Sequence, residues 1–170
     1  DTTSPLLTLN GNDSKVDGDV IINNAAAGSD LTVHTGFETL NGHPINLTAD
    51  GTLTNDSTST LKSAGNLTLT SKTEDIKNNG TLITADDLLL QADKGSITNA
   101  LAVTAGKSVT MLAGVDITNQ NNVTAGTALT LTAGNVVTNN GDLLATNDVK
   151  VTGTKGITDN KNITSTQGFV

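Results

Sequence analysis

Six segments of the chain align when each is started at an apolar-x-apolar triplet, and this repeat limits the possible folds more than any other feature. The triplets begin at Ile45, Leu67, Leu88, Val109, Leu129 and Val149. Their spacings are 67 − 45 = 22, 88 − 67 = 21, 109 − 88 = 21, 129 − 109 = 20 and 149 − 129 = 20. A period of this length, sustained over most of a chain, is the mark of a solenoid. The units are too short for pairs of helices, and their Gly, Asn and Thr disfavour helix throughout. Each unit holds three short β signals separated by Gly, Asn and Asp.

The first strand reads apolar-x-apolar-x-small, as in Leu67, Leu69, Ser71 and Leu129, Leu131, Ala133. Alternation with a period of two places these side chains on one face, which must be the inside. The second strand offers one apolar residue per unit: Leu53, Ile76, Ile97, Ile117, Val137 and Ile157. The third pairs an apolar residue with a small one, read as Leu61/Ser63, Ile83/Ala85, Val103/Ala105, Val123/Ala125, Leu143/Ala145 and Ile163/Ser165. Two residues after the second-strand apolar stands the most specific column: Asn55, Asn78, Asn99, Asn119, Asn139 and Asp159. Asn tolerates the left-handed backbone of a tight corner, and its amide can hydrogen-bond both up and down a stack. With 20 Asn in the chain a single match would mean nothing, but five in register with an Asp predict a structural ladder.

These columns predict an all-β chain folded as a right-handed parallel β-helix, with three-strand coils of about 20–22 residues. A lone coil cannot bury its own side chains; coils stacked about 4.8 Å apart bury them against their neighbours. Six coils would rise roughly 25–30 Å at that spacing. The composition agrees: 31 Thr and a 35% hydrophobic share drawn mostly from aliphatics suit short strands, and the two Phe leave a narrow core without aromatics. Residues 45–170 carry the six regular coils. Within residues 1–44, Leu7–Leu9, Val20–Asn23 and Leu31–Val33 read as further strands, and Asn23–Asn24 after Val20–Ile22 echoes Val136–Asn140. Yet the step from Leu7 to Leu31 is 24 and that from Leu31 to Ile45 only 14. A distorted coil, a loop leaving the helix and the edge of another module all satisfy that irregularity. Repeats without polar caps are further expected to belong to a longer chain.

The run Leu129-Thr-Leu-Thr-Ala-Gly134, followed by Val137-Thr-Asn-Asn-Gly141 and Leu143-Leu-Ala145, resembles the haemagglutinin repeats of two-partner-secretion exoproteins. That group includes filamentous haemagglutinin-type adhesins and contact-dependent growth-inhibition toxins. The resemblance spans about Leu31 to Thr166. It implies a right-handed parallel β-helix exported through an outer-membrane transporter partner, and a virulence role as stalk, adhesin or toxin-delivery filament at the bacterial cell surface. The implied binding partner is a receptor or glycan on a host or neighbouring cell. The Asn-Pro-Asn motifs of that group's secretion domain are missing, since the prolines are Pro5 and Pro44, in other settings.

Other functions fit the residues less well. With 17 acids, 9 lysines, no Arg and a formal charge of −8, the chain is poorly suited to nucleic acid, whose phosphates need basic partners. No apolar run approaches the ~20 residues of a membrane helix, so no membrane insertion of this segment is expected. With no Cys there is no disulfide or thiolate site. A carbohydrate-active β-helix enzyme is the main alternative, with the rod of an autotransporter passenger or phage fibre behind it. The enzyme would need outward carboxylates on adjacent coils. The outward columns from Ile45 onward are instead dominated by Thr, and the acids Glu74–Asp75, Asp86–Asp87 and Asp116 fall in turns, where they read as a solvated face. No catalytic, cofactor or metal residue is therefore assigned. Asp13, Asp17 and Asp19 around Gly18 form an acidic turn that could offer oxygen ligands to Ca²⁺, but the acidic turn alone is the plainer reading. His34 and His43 have no partner at ligand spacing. Thr-x-Thr pairs at Thr68/Thr70 and Thr130/Thr132 are too scattered for an ice-binding face. Asn-x-Ser/Thr acceptors at Asn12, Asn46, Asn55, Asn66, Asn79, Asn122 and Asn162 are expected by chance in such a composition.

Overall fold

A computed structural model describes residues 6–9 and 14–170. The described residues contain strands and turns and no helix, so no helix is long and apolar enough to cross a membrane. Three parallel sheets wrap the chain into a right-handed solenoid of about seven turns. The first sheet has seven strands, among them Val20–Asn24, Ile45–Ala49, Leu67–Ser71, Leu129–Ala133 and Val149–Gly153. The second has eight strands, from Leu6–Leu9 and Asp30–Val33 through Leu53–Asn55 to Gly156–Asp159. The third also has eight, from Ser14–Val16 and Phe37–Thr39 through Thr60–Ser63 to Ile163–Ser165. Each strand pairs with the equivalent strand one coil away, so Leu67, Leu69 and Ser71 lie opposite Leu88, Leu90 and Ala92.

The core is a column of aliphatics one coil wide. Leu67, Leu69, Ile76 and Leu82, the inward residues of a single coil, are all fully buried. Stacking does this burying. Val137, with a coil on either side, is 0% exposed, whereas its register partner Ile157, with a coil on one side, is 48% exposed. The corners are equally tight. A Cβ at Gly126 would lie 2.0 Å from the Gly106 carbonyl oxygen, and one at Gly134 would lie 2.1 Å from that of Gly114. At these two positions the facing backbone leaves room only for a hydrogen.

The described residues before Ile45 join the same three sheets. Leu7 pairs with Leu31 and Leu31 with Leu53, steps of 24 and 22 within the second sheet. Ile45 belongs to the first sheet, and its partner is Val20. The step of 14 therefore compared two different columns. The long period comes from corners: Asn24 to Leu31 is 31 − 24 = 7 residues, where Ala49 to Leu53 is 53 − 49 = 4. Likewise Thr39 to Ile45 is 45 − 39 = 6, where Ser63 to Leu67 is 67 − 63 = 4. The extra pair in the second corner is Asn41–Gly42. Both have positive φ, 53° and 80°, and the His43 amide donates to the Leu40 carbonyl at 3.0 Å, the features of a type I′ turn.

Three sequence readings need correction. The third strand of one coil is shifted by a residue: Leu82 and Thr84 point inward and are buried, while Ile83 faces out and Ala85 is exposed in the following turn. A one-residue slip exchanges the two faces of a strand, and the run Leu82-Ile83 offers two adjacent apolar residues with equal claim. What decides is the hydroxyl of buried Thr84, which donates to the Gly65 carbonyl. Second, Asn23–Asn24 does not echo Val136–Asn140. It ends a first-sheet strand, whereas Val136–Asn139 lies in the second. Third, the ladder asparagines do not occupy a left-handed backbone; among the described residues Asn41 is the non-glycine with positive φ.

Candidate functional site

The asparagine column forms a continuous hydrogen-bonded file at the end of the second-sheet strands. Each Nδ2 donates to the Oδ1 of the next coil: Asn55 to Asn78 at 2.8 Å, Asn78 to Asn99 at 2.6 Å, and Asn99 to Asn119 at 2.8 Å. Asn119 continues to Asn139 at 2.7 Å and Asn139 to Asp159 at 2.7 Å. All five asparagines are 0% exposed. The remaining amide hydrogen turns the corner: Nδ2 of Asn119 also donates to the Asn121 carbonyl, and that of Asn139 to the Gly141 carbonyl. A parallel backbone file runs beside it, with the Asn79 amide on the Asn55 carbonyl at 2.8 Å and the Asn140 amide on the Asn119 carbonyl at 2.7 Å. Aligned amide dipoles of this kind reinforce one another. The file begins at Asn55 because the preceding coil carries Val33 at that position, which leaves the buried Asn55 Oδ1 without a partner. The five asparagines are sealed from solvent and the exposed Asp159 ends the file, so these side chains fasten coil to coil.

The outward faces are built mostly of hydroxyls. The second sheet presents the file Thr98, Thr118, Thr138 and Thr158 in consecutive coils. The turn acids, read from sequence as a solvated face, are exposed or half-buried and also join coils. Asp75 accepts from the Ser96 amide at 2.8 Å, Asp87 from the Ser108 amide at 2.9 Å, and Asp116 from the Val136 amide at 3.0 Å. Glu74 accepts from the Thr52 hydroxyl, and Asp86 pairs with Lys107 at 2.7 Å, which raises the ammonium pKa above its ordinary value.

Charged clusters do form in the first coils. On the outside of the third sheet, Glu38 Oε1 lies 2.7 Å from the Lys62 ammonium and Oε2 3.4 Å from that of Lys15. The Lys62 hydrogen bond foremost holds the Glu38 carboxyl below its usual range. Ser14, Phe37 and Thr60 complete a depression of about 280 Å³ around this triad. A second, more open hollow of about 220 Å³ lies by Gln91, Asp93 and Leu112, with Gln91 donating to Asp93. His34 Nδ1 lies 2.7 Å from Asp56 Oδ2, and this bond, helped by the Ser57 amide, lowers the Asp56 pKa. His43 Nδ1 lies 2.7 Å from Asp19 Oδ1, with Nε2 3.7 Å from Asp17 Oδ1. Among the described residues no group of three or more His, Asp or Glu is arranged to hold a metal ion. Asp13 and the acceptor Asn12 lie outside the described residues. Of the other acceptors, Asn55 is sealed in the ladder, while Asn66, Asn122 and Asn162 are exposed.

These pairs are invisible at metal-ligand spacing in the sequence. In a solenoid the relevant spacing is one coil: 56 − 34 = 22, 43 − 19 = 24, 38 − 15 = 23 and 62 − 38 = 24. Comparison with family models, curated proteins and solved structures gave no match.

Proposed function

We propose that this chain is a structural and adhesive β-helical stalk segment of a secreted or surface-displayed bacterial filamentous exoprotein, exported through an outer-membrane transporter and holding adhesive or toxic elements away from the cell. The observation that carries the reading is the uninterrupted file from Asn55 to Asp159, hydrogen-bonded from coil to coil and buried at its five asparagines. A rod gains from such a file because every coil is fastened to the next by side chain as well as backbone. Contacts between nearest neighbours alone then let the structure be lengthened without a new core. The haemagglutinin-like pattern of the same coils supplies the export route and the cell-surface setting. The hydroxyl-rich outside suits a spacer, and the departures from the repeat before Ile45 are where a receptor or glycan contact would be grafted.

Antibodies raised against this segment test the proposal on the producing bacterium. Labelling of intact cells, lost when the outer-membrane transporter is disabled, is the expected result. Labelling only after permeabilisation would overturn it, as would release of sugar products when the purified chain is incubated with acidic polysaccharides.

A further inference from the structure

The corner between Phe37–Thr39 and Ile45–Ala49 carries the two-residue insertion Asn41–Gly42, and the structure clasps it to the preceding coil. Asn41 Nδ2 donates to Asp17 Oδ1 at 2.9 Å, and the adjoining His43 reaches Asp19. Asn41 and Gly42 are both exposed, and a Cβ on Gly42 would meet nothing within 4 Å. The pair is thus an Asn-Gly sequence in open space, at the one non-glycine residue with positive φ among the described residues. Such a backbone outlier invites a chemical reading.

We propose that Asn41 is a deamidation site, and that its conversion to aspartate or isoaspartate releases the corner from Asp17. Hydroxide removes the Gly42 amide proton, and the nitrogen attacks Asn41 Cγ. The new N–Cγ bond closes a succinimide as the Cγ–Nδ2 bond breaks, and ammonia leaves with a proton from water. One water then opens either imide C–N bond, giving aspartate or isoaspartate; no other reactant is consumed. The product sets a carboxylate where a donor stood, facing the Asp17 oxygen it once held. The isoaspartate form also lengthens the backbone of a turn that tolerates two residues only.

The other Asn-Gly pairs among the described residues are protected by stacking. The Asn79 amide is bonded to the Asn55 carbonyl and that of Thr81 to the Ser59 carbonyl. Gly80 is buried, with its open side 2.3 Å from the Ser59 carbonyl oxygen by the position a Cβ would take. The Asn140 amide is bonded to the Asn119 carbonyl, and Gly141 is buried against the Asn121 carbonyl. Rotating either backbone into reacting geometry means parting two coils. At Asn41 the backbone bond at stake is the local one from His43 to Leu40. The proposal is independent of the stalk reading.

Incubation of the whole chain at mildly alkaline pH, followed by peptide mass mapping, tests it. Deamidation at Asn41 is expected to run about tenfold ahead of Asn79 and Asn140 in the folded protein, the gap that one or two inter-coil hydrogen bonds impose. In strong denaturant the three rates should converge. Equal rates in the folded protein, or no reaction at Asn41, would overturn the site. Hydrogen exchange on Asn41→Asp then tests the consequence. Amides of residues 14–24 should exchange about threefold faster or more than in the unsubstituted chain, while Asn79→Asp leaves that segment unchanged. Unaltered exchange over 14–24 in Asn41→Asp would overturn the clasp.

Discussion

Asn99 sits in the middle of the ladder, giving to Asn119 and accepting from Asn78. Replacing it with Leu orphans a buried acceptor on Asn119 and a buried donor on Asn78. At about 1–3 kcal/mol for each unsatisfied group, Asn99→Leu should lower stability by roughly 2–4 kcal/mol in urea unfolding. Asn55→Leu is a sharper comparison. It orphans only Asn78 Oδ1 and removes the unpartnered Asn55 Oδ1, so its loss should be less than half as large. Equal losses would mean that the file contributes through side-chain volume and not through its hydrogen bonds. The ladder was legible in the sequence because one residue type recurs at a fixed offset. Its mechanism was only half legible. The left-handed backbone assigned to Asn belongs elsewhere, at Asn41, and the ladder corners are turned by the second amide hydrogen. Thr84 marks another limit, since its hydroxyl alone breaks the tie between Leu82 and Ile83.

At the scale of strands and corners, strand identity follows from alternation, whereas corner length does not. Asn41–Gly42 is a turn signal within residues 39–45, but that it adds a pair to the corner is revealed only by pairing Val20 with Ile45. Corners also answer to neighbours that sequence does not display. Gly126 faces the Gly106 carbonyl, so Gly126→Ala should destabilise by about 1–3 kcal/mol through forced separation of coils. Gly18→Ala, with nothing within 4 Å of the new methyl, should leave the thermal midpoint unchanged. The His34–Asp56 corner predicts a pH dependence whose sign is fixed. Asp56 titrates in the folded chain below its ordinary 3.8, so its contribution is present above that value and is lost as pH falls through the lower folded pKa. Melting between about pH 5 and pH 2, where carboxylates titrate, should therefore show a smaller acid-induced drop in Asp56→Asn than in the unsubstituted chain. A matching drop would remove Asp56 from the acid response.

Across the described residues every strand pairs only with its equivalents in the adjacent coils. This makes the coil a removable unit, a property the repeat spacings foretell and the register now makes specific. Deleting Val109 through Ala128 joins Ser108 to Leu129, which occupies the same first-sheet column as Val109. Asn99 then faces Asn139, Ile97 faces Val137 and Val103 faces Leu143, each pair matching in kind the neighbours that were lost. The shortened chain should fold with a cooperative melt and lose about 4.8 Å of length by small-angle scattering. Deleting half as much, Val109 through Thr118, offers no such match: it brings Asn119 to the column of Val109 and turns every later inward residue away from its own sheet. That variant should not fold. If both deletions fold, burial is being satisfied without register. If neither folds, stability is spread beyond nearest neighbours, and a rod extended by repetition loses its physical basis. The contrast between the two deletions thus tests the stacking itself, because hydrophobic content changes in both but only one preserves which side chains meet.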